Sequence, residues 1–328
     1  MITRKLAPAL AAGCSAVIKP ATETPLSALA ICHIANEVGL PSGLINMVPT
    51  SYQNTPAIGE LLCTDPLIRK LSFTGSTGVG KLLAKQSAGN LQRLSLELGG
   101  NAPFIVFEDA DMDAAVEGAL ASKFRNTGQT CVCTNRFYVH DAVYDTFIDK
   151  LAVKVRALKV GNGLEKDVTA SALITPKALT KVQQHVTDAL AKGAKLVVGK
   201  SEALGRQFWQ PTLLRDVPQT ALLAEEETFG PVAGVMRFST FDEALQLANA
   251  SSYGLASYIY TKDLQRAFRF AERIESGMVG VNVGLISTEV APFGGIKLSG
   301  YGREGGKHGI EEYLQTKYIG TLSRHSIL

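Results

Sequence analysis

The chain has 328 residues, of which 46% are hydrophobic and 19% charged, and its formal net charge is +3. This composition is typical of a globular protein, and the length exceeds what one hydrophobic core usually serves, so we expect two domains. The small net charge without a Lys/Arg-rich run argues against a nucleic acid partner, and no apolar stretch is long enough to cross a bilayer.

Short apolar runs alternate with helical patterns over the first hundred residues, which is typical of βαβ units. The amino-terminal residues read as an apolar, strand-like segment. Single helices then separate four predicted strands, at residues 16–20, 44–48, 68–73 and 91–98. Because parallel strands need crossover connections, this order predicts an α/β fold with a parallel, doubly wound sheet.

The alternation restarts at the glycine pair Gly99-Gly100, where we place a domain boundary. The predicted strands beyond it are 103–107, 137–140, 195–198, 232–238, 256–260 and 278–282. The predicted helices between them are 111–125, 142–158, 176–192, 241–250 and 263–274. A glycine-rich segment, 292–300, then precedes a short helix and a strand-like tail over 313–322. We therefore predict domains at 1–98 and 99–298, followed by a segment, 299–328, that returns to the first domain and supplies an oligomerisation strand.

Residues 124–133 place Cys131 directly after the polar, turn-forming residues 126–130. A cysteine is usually a small core residue, but in such a loop the thiol can be partly exposed, with backbone N–H groups facing a reacting oxygen. Glu97, at the end of a predicted strand, is followed by two glycines that let a ligand approach; the alternative is an ion-paired or capping carboxylate. A thiol with a carboxylate suits covalent acyl chemistry, in which one attacks and the other prepares water.

Residues 75–81 satisfy Gly-x-x-x-x-Gly-Lys, follow a predicted strand and open a helix. In a P-loop the next residue would be Ser or Thr to hold Mg²⁺, whereas here it is Leu82. Gly75 and the glycines after it suit the pyrophosphate of a dinucleotide at a helix N-terminus. A P-loop nucleotide hydrolase is the alternative from another functional class.

The five cysteines are an odd number in an apolar background, which indicates a reducing compartment. One residue separates Cys131 from Cys133, which does not fit zinc, so we expect no metal site; a disulfide between them would be strained. Lys19 is either a surface charge or a contact to ribose or phosphate. Arg4 and Arg125 are surface charges or, as a guanidinium pair, suit a substrate carboxylate.

Taken together, these motifs resemble the aldehyde dehydrogenase family, most closely its succinate-semialdehyde-oxidising members, and the resemblance covers essentially the whole chain. The motifs that carry it, in family order, are Lys19-Pro20-Ala21 and the segments 73–77, 96–100, 124–133, 226–231 and 292–295. The resemblance implies a doubly wound cofactor-binding domain, lacking its N-terminal part, and an α/β catalytic domain.

The resemblance implies a role for individual residues. Cys131 would be the nucleophile and Glu97 the base that activates the deacylating water. Cys133 would be the second thiol of a redox switch that some members use. The implied dinucleotide contacts are Lys19, Ser76, Glu227 and Phe229, with Glu227 on the nicotinamide ribose. The implied ligands of the substrate carboxylate are Arg4, Arg125 and Ser287.

Many NAD-using members carry a glutamate where this chain has Thr22. Without that carboxylate nothing repels a 2′-phosphate, so the resemblance favours NADP, with NAD as the alternative if Glu23 takes over the position. The implied reaction is oxidation of succinate semialdehyde to succinate through a thiohemiacetal and a thioester. The related alternative is another carboxylated aldehyde, such as glutarate semialdehyde.

The sequence also begins about a third of the way along the family pattern. We therefore expect an Asn donor to the oxyanion, the first strands of the cofactor domain and part of a subunit-joining hairpin to lie outside it. A third possibility is then an inactive remnant that only binds dinucleotide or pairs with full-length subunits. The other implications are a homo-oligomer, dimer or tetramer, and a cytoplasmic or mitochondrial location.

Overall fold

The computed structural model describes residues 1–322. The α-helices of this part are, in chain order, α1 (Ile2–Ala11), α2 (Leu26–Glu37), α3 (Thr55–Thr64), α4 (Thr77–Ser87), α5 (Met112–Phe124), α6 (Tyr144–Arg156), α7 (Pro176–Ala191), α8 (Leu222–Glu225), α9 (Phe241–Asn249), α10 (Leu264–Arg273) and α11 (His308–Glu311). The strands are β1 (Ala16–Ile18), β2 (Ile45–Met47), β3 (Lys70–Thr74), β4 (Arg93–Glu97), β5 (Ala102–Val106), β6 (Thr134–His140), β7 (Lys195–Val198), β8 (Thr212–Arg215), β9 (Val232–Phe238), β10 (Tyr253–Gly254), β11 (Ala256–Tyr260), β12 (Met278–Val281), β13 (Ile296–Lys297) and β14 (Gly300–Tyr301).

The described chain divides into two compact units. The first consists of Met1–Ile58, Glu289–Pro292 and the described part of Arg303–Leu328. It contains β1 and β2, which pair in parallel, and it packs α1 against α11. An ion pair between Lys5 and Glu304 links the two ends of this unit. The domain ranges predicted from the sequence stay a prediction.

The strand-like reading of the amino terminus is wrong, because residues 2–11 form the helix α1. The buried residues of this helix are Leu6 and Ala9, which are three residues apart and so lie on one face. The helix contains Pro8 and ends at Ala11; Gly13, which follows its C-cap, has a φ of +80°, the left-handed conformation that favours glycine. The apolar residues of α1 therefore follow a helical period and not a continuous strand-like run.

The second unit consists of Gly59–Thr288 and Phe293–Gly302, and its centre is a seven-stranded sheet with the order β12-β11-β5-β6-β9-β8-β7. Neighbouring strands pair in parallel except β7 and β8, which are antiparallel. Helices α5 and α6 cover one face, and α7, α9 and α10 cover the other. The side chains of β5 alternate between these layers: Phe104 packs into one core and Ile105 into the other. The predicted α/β class is confirmed.

A smaller sheet in the same unit has the order β14-β4-β3. Strands β3 and β4 are parallel, and β14 joins β4 from the other side in antiparallel orientation. The last residue of β4 is Glu97, which lies opposite Thr74 on one side and Gly300 on the other. This carboxylate-bearing position is therefore held by strands on both sides.

The strand-like tail predicted over 313–322 is not a strand in the described chain. A strand needs a neighbour for its backbone hydrogen bonds, and these residues show no strand pairing here. Tyr318, Ile319 and Leu322 are exposed. The predicted oligomerisation role of 299–328 stays a prediction, and its final six residues lie outside the described part. Within residues 1–322, no helix combines the length and apolar character that a membrane span requires.

Candidate active site

The loop that carries Cys131 connects the end of α5 at Phe124 to the start of β6 at Thr134. Three consecutive residues in it, Asn126, Thr127 and Gly128, have left-handed φ values of +53°, +56° and +73°. A left-handed β-branched threonine is costly, so the surrounding structure must hold this turn in place.

Two side chains of the turn supply that hold by binding the segment 171–174. The Thr127 hydroxyl accepts from the Ser171 amide at 3.0 Å and lies 3.2 Å from the Ser171 carbonyl. The Gln129 side chain accepts from the Ile174 amide at 2.9 Å. Gly128 is required for a different reason: a Cβ there would lie 2.2 Å from the carbonyl oxygen of Gly230. The loop is thus fixed from two sides before it reaches Cys131.

Cys131 is partly buried and its thiol is not in a disulfide. Its backbone carbonyl lies against Gly100, where a Cβ would approach it to 2.4 Å. Burial, followed by the negative charges of Glu227 and Glu97, raises the pKa of the Cys131 thiol to about 12. The structure therefore brings the predicted nucleophile and the predicted base close enough to interact. It also shows that this thiol needs a proton acceptor or an added positive charge before it becomes a thiolate.

Glu97 is buried, and its backbone carbonyl accepts a hydrogen bond from Gly75 at 3.1 Å. Gly75 directly precedes Ser76, the residue before α4. The predicted base and the glycine loop predicted to bind dinucleotide are thus adjacent at the ends of β4 and β3.

Glu227 is held by the glycine pair that follows Glu97. The Gly100 amide donates to Glu227 Oε1 at 3.1 Å, and a Cβ on Gly99 would lie only 2.9 Å from Oε2. Burial raises the pKa of Glu227 to about 7, opposed by the Gly100 hydrogen bond and by the charges of Lys181 and Lys123. A carboxylate in this setting is a strong acceptor for hydroxyl donors.

Cys133 is buried, and its sulfur lies 2.9 Å from the Thr130 hydroxyl. Both Cys131 and Cys133 are thiols in the structure. The predicted redox switch stays a prediction. Within the described residues, no group of three or more metal-binding side chains occurs.

Two hydrogen bonds join the residues on either side of the loop, and neither was expected from the sequence. The Ser122 and Thr134 hydroxyls lie 2.9 Å apart, and Lys123 donates to Asn135 Oδ1 at 3.0 Å. We call these four residues the loop clasp. Burial lowers the pKa of Lys123 to about 8, opposed by Cys133 and Glu227. Lys123 follows the buried Ala115 and Ala119 at a four-residue spacing, which places it on the same buried face of α5.

The second unit offers a site that fits one end of a dinucleotide. Ser76 precedes α4 without bonding its own helix, and a Cβ on Gly78 would meet open space, so a ligand can approach this N-terminus. Glu227 adds a hydroxyl acceptor. Phe229, half-buried with a φ of +54°, follows it closely. These residues fit the group implied by the sequence.

Two other residues predicted to contact the dinucleotide, Lys19 and Thr22, lie in the first unit. Lys19 Nζ donates to the carbonyl of Pro20 at 2.7 Å, and the Thr22 hydroxyl donates to the carbonyl of Thr50 at 3.4 Å. Arg4, on α1, also belongs to the first unit.

Arg125 lines a cavity of about 310 Å³ in the second unit. Its other lining residues are mostly apolar: Leu120, Ala121, Phe124, Leu158 and Leu285, with Glu117 and Thr169. Ser287 is exposed in the same loop as Leu285. The cavity has a cation on an apolar wall, which suits a short chain ending in a carboxylate.

Two known proteins with similar sequences match this chain over nearly its whole length. A glutarate-semialdehyde dehydrogenase of Pseudomonas aeruginosa is 57% identical over 97% of this chain and 66% of its own length. The NADP(+) succinate-semialdehyde dehydrogenase GabD of Escherichia coli is 56% identical with the same coverage. The chain therefore spans 66% of the length of both relatives.

Solved structures agree with the sequence matches. An Escherichia coli protein described as an NADP-dependent enzyme superposes with a TM-score of 0.95 at 55% identity, covering 97% of this chain and 66% of that one. A family model described as the aldehyde dehydrogenase family matches residues 1–319. With that match over nearly its whole length, the chain belongs to the aldehyde dehydrogenase family.

Proposed function

We propose that this chain oxidises a short carboxylated aldehyde with NAD(P), and that succinate semialdehyde is its preferred aldehyde substrate. The observation that carries the proposal is the grouping of Cys131, Glu97 and Glu227 in one unit, where both carboxylates act on the pKa of the thiol. A nucleophile, a base and a hydroxyl acceptor in one place are the groups that this chemistry needs.

Each residue then has a distinct task. Cys131 adds through sulfur to the aldehyde carbon, and the thiol proton passes to the aldehyde oxygen, giving a neutral thiohemiacetal. Ser76, at the N-terminus of α4, and Glu227 would hold the dinucleotide, whose oxidised nicotinamide would accept the hydride. Glu97 takes a proton from water, and that water releases the acid from the thioester left on Cys131, which regains its thiol.

The proposed substrate preference rests on Arg125 and on its cavity with apolar walls. A guanidinium binds a carboxylate bidentately, and the apolar lining accommodates the methylenes between the two ends of the substrate. Ser287 and Arg4 are proposed as further carboxylate ligands. Glutarate semialdehyde is the second candidate, because the 57% identical relative carries that name. Comparing kcat/KM for the two aldehydes separates them.

The proposed cofactor preference is NADP. Thr22 has no carboxylate to repel a 2′-phosphate, and the 56% identical Escherichia coli relative is named for NADP. We expect kcat/KM for NADP⁺ to exceed that for NAD⁺. The reverse order would assign the adenosine ribose to Glu23.

The test is reduced-cofactor formation by the purified 328-residue chain with succinate semialdehyde, beside Cys131→Ala and Cys14→Ala. Cys14 is also partly buried but lies in the first unit, so its variant controls for loss of any thiol. We expect turnover that disappears in Cys131→Ala alone. Turnover that survives this change contradicts the nucleophile assignment. A folded, inactive chain that still binds dinucleotide, or one active only with longer subunits, supports the remnant instead.

A further inference from the structure

Tyr258 lies in the middle of β11, and its side chain is buried in the core of the central sheet. Its ring packs near Phe104, with the ring centroids 5.9 Å apart. The hydroxyl at the far end of this rigid side chain donates to the backbone carbonyl of Val132 at 2.7 Å. Val132 is the residue after Cys131, so a side chain of the central sheet reaches the loop that carries the predicted nucleophile.

The neighbouring backbone is anchored on the other side of Cys131 as well. The Cys133 amide donates to the Thr130 carbonyl at 3.1 Å, which closes a turn around Cys131 and Val132. The Cys131 carbonyl rests against Gly100. The preceding turn contains strained left-handed residues, which would relax if they were not held in place. Each of these hydrogen bonds and contacts therefore helps to fix the position of the Cys131 sulfur.

The Tyr258 hydroxyl remains a donor over the whole working range of pH. Burial, and then the nearby Cys133, raises its pKa far above the ordinary value of tyrosine. Arg125 and Cys131 also lie close enough to influence this hydroxyl. The hydroxyl therefore lies near both the predicted nucleophile and the predicted carboxylate ligand.

We propose that Tyr258 is a positioning residue for Cys131, acting through its hydrogen bond to the Val132 carbonyl; the catalytic part of this inference rests on the proposed function. Tyr258 does not take part in bond making. It holds the peptide after Cys131 so that the sulfur keeps one direction relative to the aldehyde, and misdirection of an attacking group is costly in rate.

The test compares Tyr258→Phe with Tyr260→Phe. Tyr260 is two residues further along β11, on the same face, equally buried, and its ring stacks on Phe104 at 4.8 Å. Both changes remove one hydroxyl from the same core, so the control matches the loss of a buried oxygen. Thermal unfolding of both variants checks that the fold persists.

The first readout is alkylation of Cys131 by iodoacetamide, followed by mass spectrometry of the peptide, which requires no turnover. Burial is the largest cause of the high thiol pKa, so a released loop that exposes the sulfur should react faster. We expect Tyr258→Phe to raise the alkylation rate about tenfold, the equivalent of one lost hydrogen bond. We expect Tyr260→Phe to leave it within about twofold of the unmodified chain.

The second readout is steady-state kinetics with a carboxylated and an uncharged aldehyde. We expect Tyr258→Phe to lower kcat about tenfold for both, with the dinucleotide KM unchanged. A rise in KM for the carboxylated aldehyde alone would mean that Tyr258 acts on Arg125, which overturns the proposal. Equal alkylation rates in the two variants overturn it too. If the unmodified chain shows no turnover, the proposed function fails while alkylation still decides the position of Cys131.

Discussion

Arg125 combines a fixed positive charge with apolar neighbours, so its effect should depend on the charge of the substrate. We expect Arg125→Ala to raise KM for succinate semialdehyde by about 10–100-fold, because a charge-assisted hydrogen bond contributes about 1.5–3 kcal/mol. An uncharged aldehyde of similar length should show little change. The measurement is steady-state kinetics with both aldehydes.

The matched control for Arg125→Ala is Arg156→Ala, which removes an exposed guanidinium at the end of α6 in the same unit. It should leave both KM values unchanged. Equal increases for the charged and uncharged aldehydes in Arg125→Ala would remove Arg125 from the carboxylate site.

Glu227 has a pKa raised from 4.5 to about 7, so the folded chain holds this proton more tightly than the unfolded chain. The stabilisation that comes from the protonated Glu227 is therefore greatest below pH 4.5 and is lost as the pH rises through 7. Glu227→Gln removes that loss. From pH 5 to pH 8, the unfolding free energy of the unmodified chain should therefore fall by about 2 kcal/mol relative to that of the variant.

Denaturant unfolding at the two pH values measures this difference. Glu225→Gln, an exposed carboxylate two residues earlier, is the control and should show no such pH dependence. An unchanged pH dependence in Glu227→Gln would mean that the carboxyl group is not desolvated in the fold.

The residues predicted to carry out the chemistry stand out in the sequence because they lie in short motifs with unusual composition. Cys131, Glu97 and Glu227 lie in one unit and influence each other, although their roles stay predictions. Lys123 and Tyr258 did not stand out. A tyrosine in a buried strand looks like any core aromatic, since its hydrogen bond to Val132 joins residues 126 positions apart.

At the scale of elements, strands and helices with a strong period were predicted closely. The strands β9 and β11 have the predicted bounds, and α7 ends one residue early. The errors fall where local patterns are weak. Strand β8 was missed because three of its four residues are buried in a row, so apolar and polar residues do not alternate along it. The helix α1 was mistaken for a strand because its apolar residues are dense and it contains Pro8.

Gly128 allows a test of how tightly the turn before Cys131 is packed. We expect Gly128→Ala to lower the unfolding free energy by about 3 kcal/mol, from left-handed strain and from the clash with the Gly230 carbonyl. Gly193→Ala is the control, since Gly193 also has a positive φ but open space around it. It should cost about 1 kcal/mol. Equal costs in denaturant unfolding would mean that the turn can move away from Gly230.

At the scale of the molecule, exposed leucines are frequent in the first ninety residues. Within the second unit, Leu67 is 82% exposed and Leu82 on α4 is 51% exposed. Exposed apolar side chains on a chain with a net charge of only +3 favour association. We expect Leu67→Lys with Leu82→Lys to lower the fraction of oligomer or aggregate in light scattering at neutral pH.

Leu164→Lys provides the comparison, because Leu164 is 95% exposed and lies after α6, far along the sequence from Leu67 and Leu82. The single added charge there should lower association less than either Leu67→Lys or Leu82→Lys does alone. If all three changes reduce association equally, net charge and not the apolar surface controls it.

The loop clasp ties Ser122 to Thr134 and Lys123 to Asn135, so the entry and exit of the Cys131 loop are joined independently of what lies between. The segment between the clasp residues could be exchanged for that of another family member, provided that the glycine at 128 and the partners at 171–174 are retained. The surroundings of the predicted nucleophile can thus be varied while the helix and strand that hold the loop stay constant.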